Sequence, residues 1–395
     1  MSKKLVLPPE FEHIRKAALR AIGEIRPTGP ETLADPKFLF TAQRTKASNE
    51  LPAYYLVYFL LVDLLGFKNL GQFEKISWSV PIDFNGKAYL IEHRKMGLGI
   101  FAHDASAEED VARQIVIRIQ KGVKAAQPFF EWLAGQAVQN SAVNVLNKSE
   151  PLFDRFTYHL ETYRIKAREA VDRKDERHVE TRNFDGGSST SVHMPARKLR
   201  TESRWLALAA IEAFYSWTEH VFIHIAILNG KVKTGNEVTE LAEADWQAKF
   251  KRALDVTEPT TKNLFDKLVV IRKQLRNFVA HGAFGKQGEA FKFHSGAGAV
   301  PVLLPHLAGS RKFVLGSELS FEDDQALAVI EEFIAHLWSG PRQAAEFYIQ
   351  KSGLPLILTM VADGTYAQAM TSIEDMTDFV DHLTGRFDQA ANMDW

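Results

Sequence analysis

The chain of 395 residues contains no cysteine. That excludes disulfides, thiolate zinc sites and thiol nucleophiles. Neither sign of charge is in excess: 48 Lys and Arg stand against 49 Asp and Glu, for a formal net charge of −1. Any affinity for nucleic acid must therefore come from local patches, not from the field of the whole chain. Long hydrophobic runs are also missing. The most apolar stretch, residues 51–65, is too short to span a bilayer and carries Asp63. The opening residues, MSKKLVLPPEFEH, have no apolar core of signal-peptide length, so the expected location is cytoplasmic, with no membrane partner. The patterns GxxxxGK[ST], GxGxxG and GxSxG do not occur, which removes support for kinase, dinucleotide-binding and serine-hydrolase readings. No internal repeat is visible.

What is present suits two or three globular domains with real cores. Apolar residues make up 46% and charged residues 25%, both ordinary values. The patterning predicts a mainly α chain. Helix is expected over 10–25, ended by Pro27, Gly29 and Pro30, and again from Pro52 as a buried apolar helix. Residues 76–102 change period. Val80, Ile82 and Phe84 alternate, Asn85-Gly86 follows, and a second run continues to Ile91, which predicts a hairpin. Ile100-Phe101, after Gly97 and Gly99, adds a third short strand. Ser106 with Glu109 reads as a capping box, and Pro128 as the start of a second helix. One helix is expected over 151–180. The stretch NFDGGSSTSVHMP, 183–195, reads as loop. Helices are expected over 198–229, 239–256, 261–281, 325–338, 341–352 and 372–392, with short strands or loops in 286–315. These expectations define four parts: an α+β region, 1–182; a linker, 183–197; a helical domain, 198–352; and a helical extension, 353–395.

The segment TKNLFDKLVVIRKQLRNFVAHGAFG, 261–285, joins fold to chemistry. Leu264, Leu268, Ile271, Leu275 and Phe278 form one apolar stripe at helical spacing. Arg272, Lys273, Arg276, Asn277 and His281 fall outside it. Asn277 and His281, four apart, sit one above the other. Gly282 can end the helix there, which leaves His281 near a C-terminus that favours its protonated form. A histidine beside fixed cations and an amide can bind and act on a phosphodiester.

Arg276-Asn277-x3-His281, followed by Gly282, resembles the R-N-x-x-x-H motif of HEPN domains. A second R-x4-H, Arg173 to His178, has no Asn after its Arg, no Gly after its His and no apolar stripe. The resemblance covers about 199–352. It includes the long helix LAAIEAFY, 208–215, which in these domains carries a supporting acidic residue. Here Glu212 and Glu219, seven apart, share a face. The resemblance implies a C-terminal helical bundle and a metal-independent ribonuclease with no cofactor. It implies a homodimer in which each subunit gives one Arg and one His to a composite site. The expected roles are His281 as general acid or base, Arg276 as charge stabiliser, Asn277 as positioner, Glu212 or Glu219 as support, and Arg272 and Lys273 as RNA-binding cations. Many such proteins are toxins or phage-defence effectors, so an antitoxin or regulatory partner is implied as well. Others only dimerise or hold a nucleotide or protein partner, and that alternative stays open.

Other clusters have plainer readings beside the chemical one. His220 and His224 have metal-ligand spacing on a helix but no third ligand nearby, so they read as packing residues. Asp83, Glu92 and Lys95 are similar to the acid–acid–Lys set of metal nucleases, but the position two after Glu92 is Arg94. They read as solvent-facing hairpin charges. Basic residues are dense over 164–204. Acidic residues interleave up to Glu180, whereas Arg197–Arg204 is less balanced and could extend an RNA-binding cleft.

Overall fold

The computed structural model describes residues 7–281, 292–295, 298–303, 314–315 and 322–393; over 276–281 and the strands of 292–315 only the backbone is described. These residues fall into two compact units, 1–140 with 381–395, and 141–380. The chain is mainly α.

The first unit packs helices on a small antiparallel sheet. After a 3-10 turn at Pro9–Phe11, α1 (Glu12–Ile22) ends at Gly23, whose φ of 62° suits a residue without Cβ. The chain turns there straight into β1 (Ile25–Pro27), so the expected helix over 10–25 is shorter. Next come α2 (Phe38–Thr41), β2 (Gln43–Arg44) and α3 (Tyr54–Tyr58), the last continuing as a π-helical segment, Phe59–Leu64. This is the expected apolar helix, entered two residues after Pro52. Val57, Leu60, Leu61 and Leu64 are buried, but Tyr54 and Tyr55 are about half exposed at 47% and 48%.

The hairpin forms as expected. β3 (Ile76–Phe84) pairs with β4 (Lys87–Arg94), and Asn85 and Gly86 both take positive φ, as a tight two-residue turn requires. β5 (Gly97–Ala102) adds the third strand, and the sheet order is β1-β3-β4-β5-β2. Strand alternation sends Val80, Ile82, Ile91 and Ile100 into the core, against Ala18 and Ile22 of α1 and Ile115, Val116 and Ile119 of α4 (Glu109–Ala125). The capping box at Ser106 and Glu109 does not form. Asp104 accepts from the Ser106 and Ala107 amides instead, and the Glu109 carboxylate accepts from those of Lys46 and Ala47. α5 (Gln127–Gln139) starts with Pro128 in its first turn, as expected.

The second unit is a helical assembly around aromatic side chains. β6 (Asn144–Val145) leads to α6 (Ser149–Asp172), which stops short of the expected 180. β7 (His178–Phe184) and β8 (Gly187–His193) then form a two-stranded hairpin where a loop and linker were expected, and the hairpin lies within this unit. α7 (Pro195–Leu228) is the central helix. Its Phe214, Trp217 and Phe222 are fully buried with Trp246, Phe250 and Phe333. α8 (Gly235–Glu243) is held by a real capping box between Thr234 and Glu237. α9 (Trp246–Ala253) and α10 (Pro259–His281) follow. Strands β9 (Lys292–Ser295), β10 (Gly298–Leu303) and β11 (Val314–Leu315) make a small antiparallel sheet. α11 (Asp323–Leu337), α12 (Gln343–Glu346) with a π-helical turn at Phe347–Ser352, β12 (Leu356–Ile357), α13 (Leu358–Ala362) and α14 (Thr365–Ala369) complete it. α15 (Ile373–Asn392) begins in this unit and ends in the first. No helix among the described residues is long and apolar enough to cross a membrane.

Candidate functional site

α10 carries the motif. Its apolar stripe is real: Leu264 and Leu268 are fully buried, and Ile271 and Leu275 nearly so. Arg276, Asn277 and His281 lie on the last turns of the helix. Their side chains lie outside those described, as does Gly282.

One turn before Arg276, α10 is clamped to its neighbours. Arg272 Nη2 donates to Glu219 Oε1 of α7 at 2.8 Å, and Lys249 Nζ of α9 donates to Glu219 Oε2 at 2.9 Å. The guanidinium also lies over the rings of Tyr215 and Trp246, 5.3 and 5.5 Å from their centroids. The Tyr215 hydroxyl donates to the Leu268 carbonyl at 2.7 Å. Burial alone would raise the Glu219 pKa, but hydrogen bonds and charge from Arg272 and Lys249 hold it below its ordinary value. Lys249 is almost dry, with 6% of its side chain exposed, so this carboxylate is its counter-ion.

The direction of α10 follows from contacts to α11. Thr261 meets His336 and Lys267 meets Glu332, so α10 and α11 run antiparallel. Arg204 meets Asp323, Phe214 meets Phe333 and Trp217 meets Trp338, so α7 and α11 run parallel. Between α7 and α10 the contacts pair Tyr215 with Leu268 and Glu219 with Arg272. The N-terminal part of α7 carries Arg197, Arg200, Arg204 and Trp205. Arg197 and Arg200 are exposed and form no ion pair with a described residue, and Trp205 is 65% exposed.

The expected support residues separate. Glu219 is taken by Arg272 and Lys249. Glu212 is exposed and makes no hydrogen bond or ion pair among the described residues. Lys273 is exposed and likewise without an ion pair among them. Arg272 keeps one buried nitrogen, Nη1, without a partner among the described residues. Lys249, Tyr215 and Trp246 were not anticipated as parts of this cluster. Only the aromatic character of Trp246 and Phe250 marked their helix.

The other clusters follow their plainer readings, with one difference. His220 Nε2 accepts from the Lys148 amide at 2.9 Å, and the two ring nitrogens of His224 face the carbonyls of His220 and Leu146. Both imidazoles are thus spent on backbone groups. Asp83 accepts from the Gly86 amide at the hairpin turn. Glu92, expected to face solvent, is buried at 2% exposure and bound to Arg94 and Ser79. In the strand register Asp83 opposes Ala88, four residues from Glu92, or about 13 Å away along the strand. Among the described residues no group of three His, Asp or Glu is placed to hold a metal. Over 164–204 about half of the cations are paired among the described residues, as in Arg164–Glu331, Lys166–Glu202 and Arg173–Glu176.

No family model, curated protein or solved structure matches the chain.

Proposed function

We propose that this chain is a metal-independent endoribonuclease of the HEPN type, cutting single-stranded RNA as a homodimer. The observation that carries the reading is the setting of Arg276-Asn277-x3-His281. The motif ends a 23-residue helix whose inner face is buried and whose preceding turn is clamped to Glu219. Such a helix keeps residues four apart in register, as a proton-transfer site needs.

The reaction uses the nucleophile that RNA carries. The ribose 2′-hydroxyl attacks its own phosphate, leaving a cyclic phosphate and a free 5′-hydroxyl. His281 takes and returns the protons. Arg276 stabilises charge on the phosphoryl oxygens, and Asn277 positions His281 or the phosphate. Lys273 extends the cationic flank for neighbouring phosphates, and Arg272, expected to share that role, holds the helix to Glu219. A second subunit supplies the other Arg and His. A toxin or phage-defence role, with an antitoxin or regulatory partner in the cytoplasm, belongs to the same reading.

The test is cleavage in excess chelator of one RNA and the DNA of the same sequence. RNA alone should be cut, and Arg276→Ala should slow cutting by roughly 100-fold or more, the usual effect of losing one charge-stabilising donor. Cutting of DNA, or loss of all activity on chelation, would contradict the proposal.

A second reading, a non-catalytic module for dimerisation or for nucleotide or protein binding, is favoured by a different observation. Tyr158 and Ile165, seven apart on one face of α6, are 65% and 64% exposed. Such a module would use this exposed face of α6 as its contact. This reading predicts association without cleavage.

A further inference from the structure

The five-stranded sheet of the first unit has two unlike faces. One is the core face. On the other, strand register brings Glu92 and Arg94 of β4 beside Gly99 and Gly97 of β5, and Arg44 of β2 opposite Phe101. Gly97 faces open space and lines a depression in the sheet surface, whereas the space over Gly99 is filled. A Cβ on Gly99 would come within 2.7 Å of the Phe101 ring and 3.1 Å of Arg44 Nε, so the bare backbone is what lets both side chains close in. A cavity of about 470 Å³ opens here, lined by Arg44, Lys75, Arg94 and Lys95 together with Glu74, Ile76, Met96, Gly97 and Phe101.

The cations are held in place. Arg94 lies over Phe101, 3.7 Å from the ring centroid, while its Nε and Nη2 bind the buried Glu92 carboxylate at 2.7 and 2.6 Å. Glu92 is fixed in turn by Ser79 at 2.7 Å. Arg44 Nη2 donates to the Leu98 carbonyl at 2.9 Å. The Nη1 of Arg94, and the Nε and Nη1 of Arg44, make no hydrogen bond with a described residue. Lys95 Nζ is steadied by Asn392 Oδ1 at 2.9 Å. Lys75 has a φ of 62° because Glu74-Lys75 forms a tight turn closed by the paired amides and carbonyls of Phe73 and Ile76. Lys75 Nζ donates to the Asn392 carbonyl at 3.4 Å. Among the described residues four cations thus line the cavity with one exposed carboxylate, Glu74, while Glu92 is buried behind Arg94.

We infer that this cleft binds a phosphate-bearing small molecule of nucleotide size. Its volume lies within the range of small-molecule sites, about 300–1,000 Å³. Guanidinium forks match phosphate oxygens, and cations already fixed by the protein lose little freedom on binding. Ile76, Phe101 and the aliphatic arms of the cations form an apolar wall for the body of the ligand. Glu74 is placed to accept from a hydroxyl or amino group. The site belongs to the first unit and is independent of the ribonuclease reading.

The test is isothermal titration of the full chain with ADP, pyrophosphate and adenosine, repeated with Arg44→Gln/Lys95→Gln. ADP should bind more tightly than either fragment. Its affinity should fall at least tenfold in the variant and weaken with salt. Lys95→Gln alone, at an exposed position, carries the test should the double variant unfold, with a weaker ADP affinity expected. No heat with ADP at millimolar concentration would overturn the inference. So would affinity unchanged by the substitutions, or adenosine or pyrophosphate binding as tightly as ADP.

Discussion

Replacing Glu219 with Gln should weaken the second unit by more than a surface charge change does. The carboxylate is 33% exposed, but its partner Lys249 is 6% exposed and has no other carboxylate among the described residues. Breaking a buried pair on one side costs about 3–5 kcal/mol, because the remaining charge stays dry. Water reaches Glu219, and Gln can still accept one hydrogen bond, so the loss should be about 2 kcal/mol, within the range for a hydrogen bond to a charged group. With a urea slope of about 2 kcal/mol/M, the denaturation midpoint should fall by about 1 M. Tryptophan fluorescence reports it, since Trp246 lies beside the cluster. Adding Lys249→Met should recover most of the loss by removing the stranded charge. The acid limb has a definite sign. Glu219 titrates below its ordinary 4.5 in the folded chain, so its contribution is complete above that pH and disappears as pH falls through the lower folded value. A Glu219→Gln cost below about 0.5 kcal/mol, a surface-sized effect, or a double variant no better than the single, would refute this account of the clamp.

Two helix glycines should respond in opposite senses to alanine. At Gly135 a new Cβ meets nothing within 4 Å, so Gly135→Ala should raise stability by about 0.5–1 kcal/mol through helix propensity. At Gly122 it would come within 2.6 Å of Ile22 and 2.9 Å of Leu60, so overpacking of about 1–3 kcal/mol should outweigh that gain; thermal midpoints distinguish the two. His224 and His220 are held neutral by burial, with pKa values pushed down to about 4 and about 3. Unfolding lets each take a proton below about 6.5, so stability should fall as pH drops from 6.5 towards 4. Urea midpoints at pH 7 and pH 5 should differ less in His224→Gln.

Local patterns carried much of the fold. The stripe Leu264, Leu268, Ile271 and Leu275 places α10 correctly, and Asn85-Gly86 places the hairpin, because period and turn chemistry are properties of neighbouring residues. Misreadings arose where a distant partner decided the matter. Glu109 looks like a cap but serves the amides of Lys46 and Ala47, more than sixty residues away in sequence. Residues 183–195 are polar enough to read as loop, yet Asp185-Gly186 between runs of Thr, Ser and Val carried a hairpin signal that composition obscured. The clamp on Glu219 joins helices thirty and fifty-three residues apart, a distance over which no spacing rule operates.

The central claim rests on His281. The most direct measurement is the product of cutting a mixed single-stranded RNA in excess chelator, by the wild-type chain and by His281→Ala. The account predicts cutting by the wild type alone, with cyclic-phosphate and 5′-hydroxyl ends. Equal cutting by both would place the chemistry elsewhere, and cutting by neither would favour the non-catalytic module.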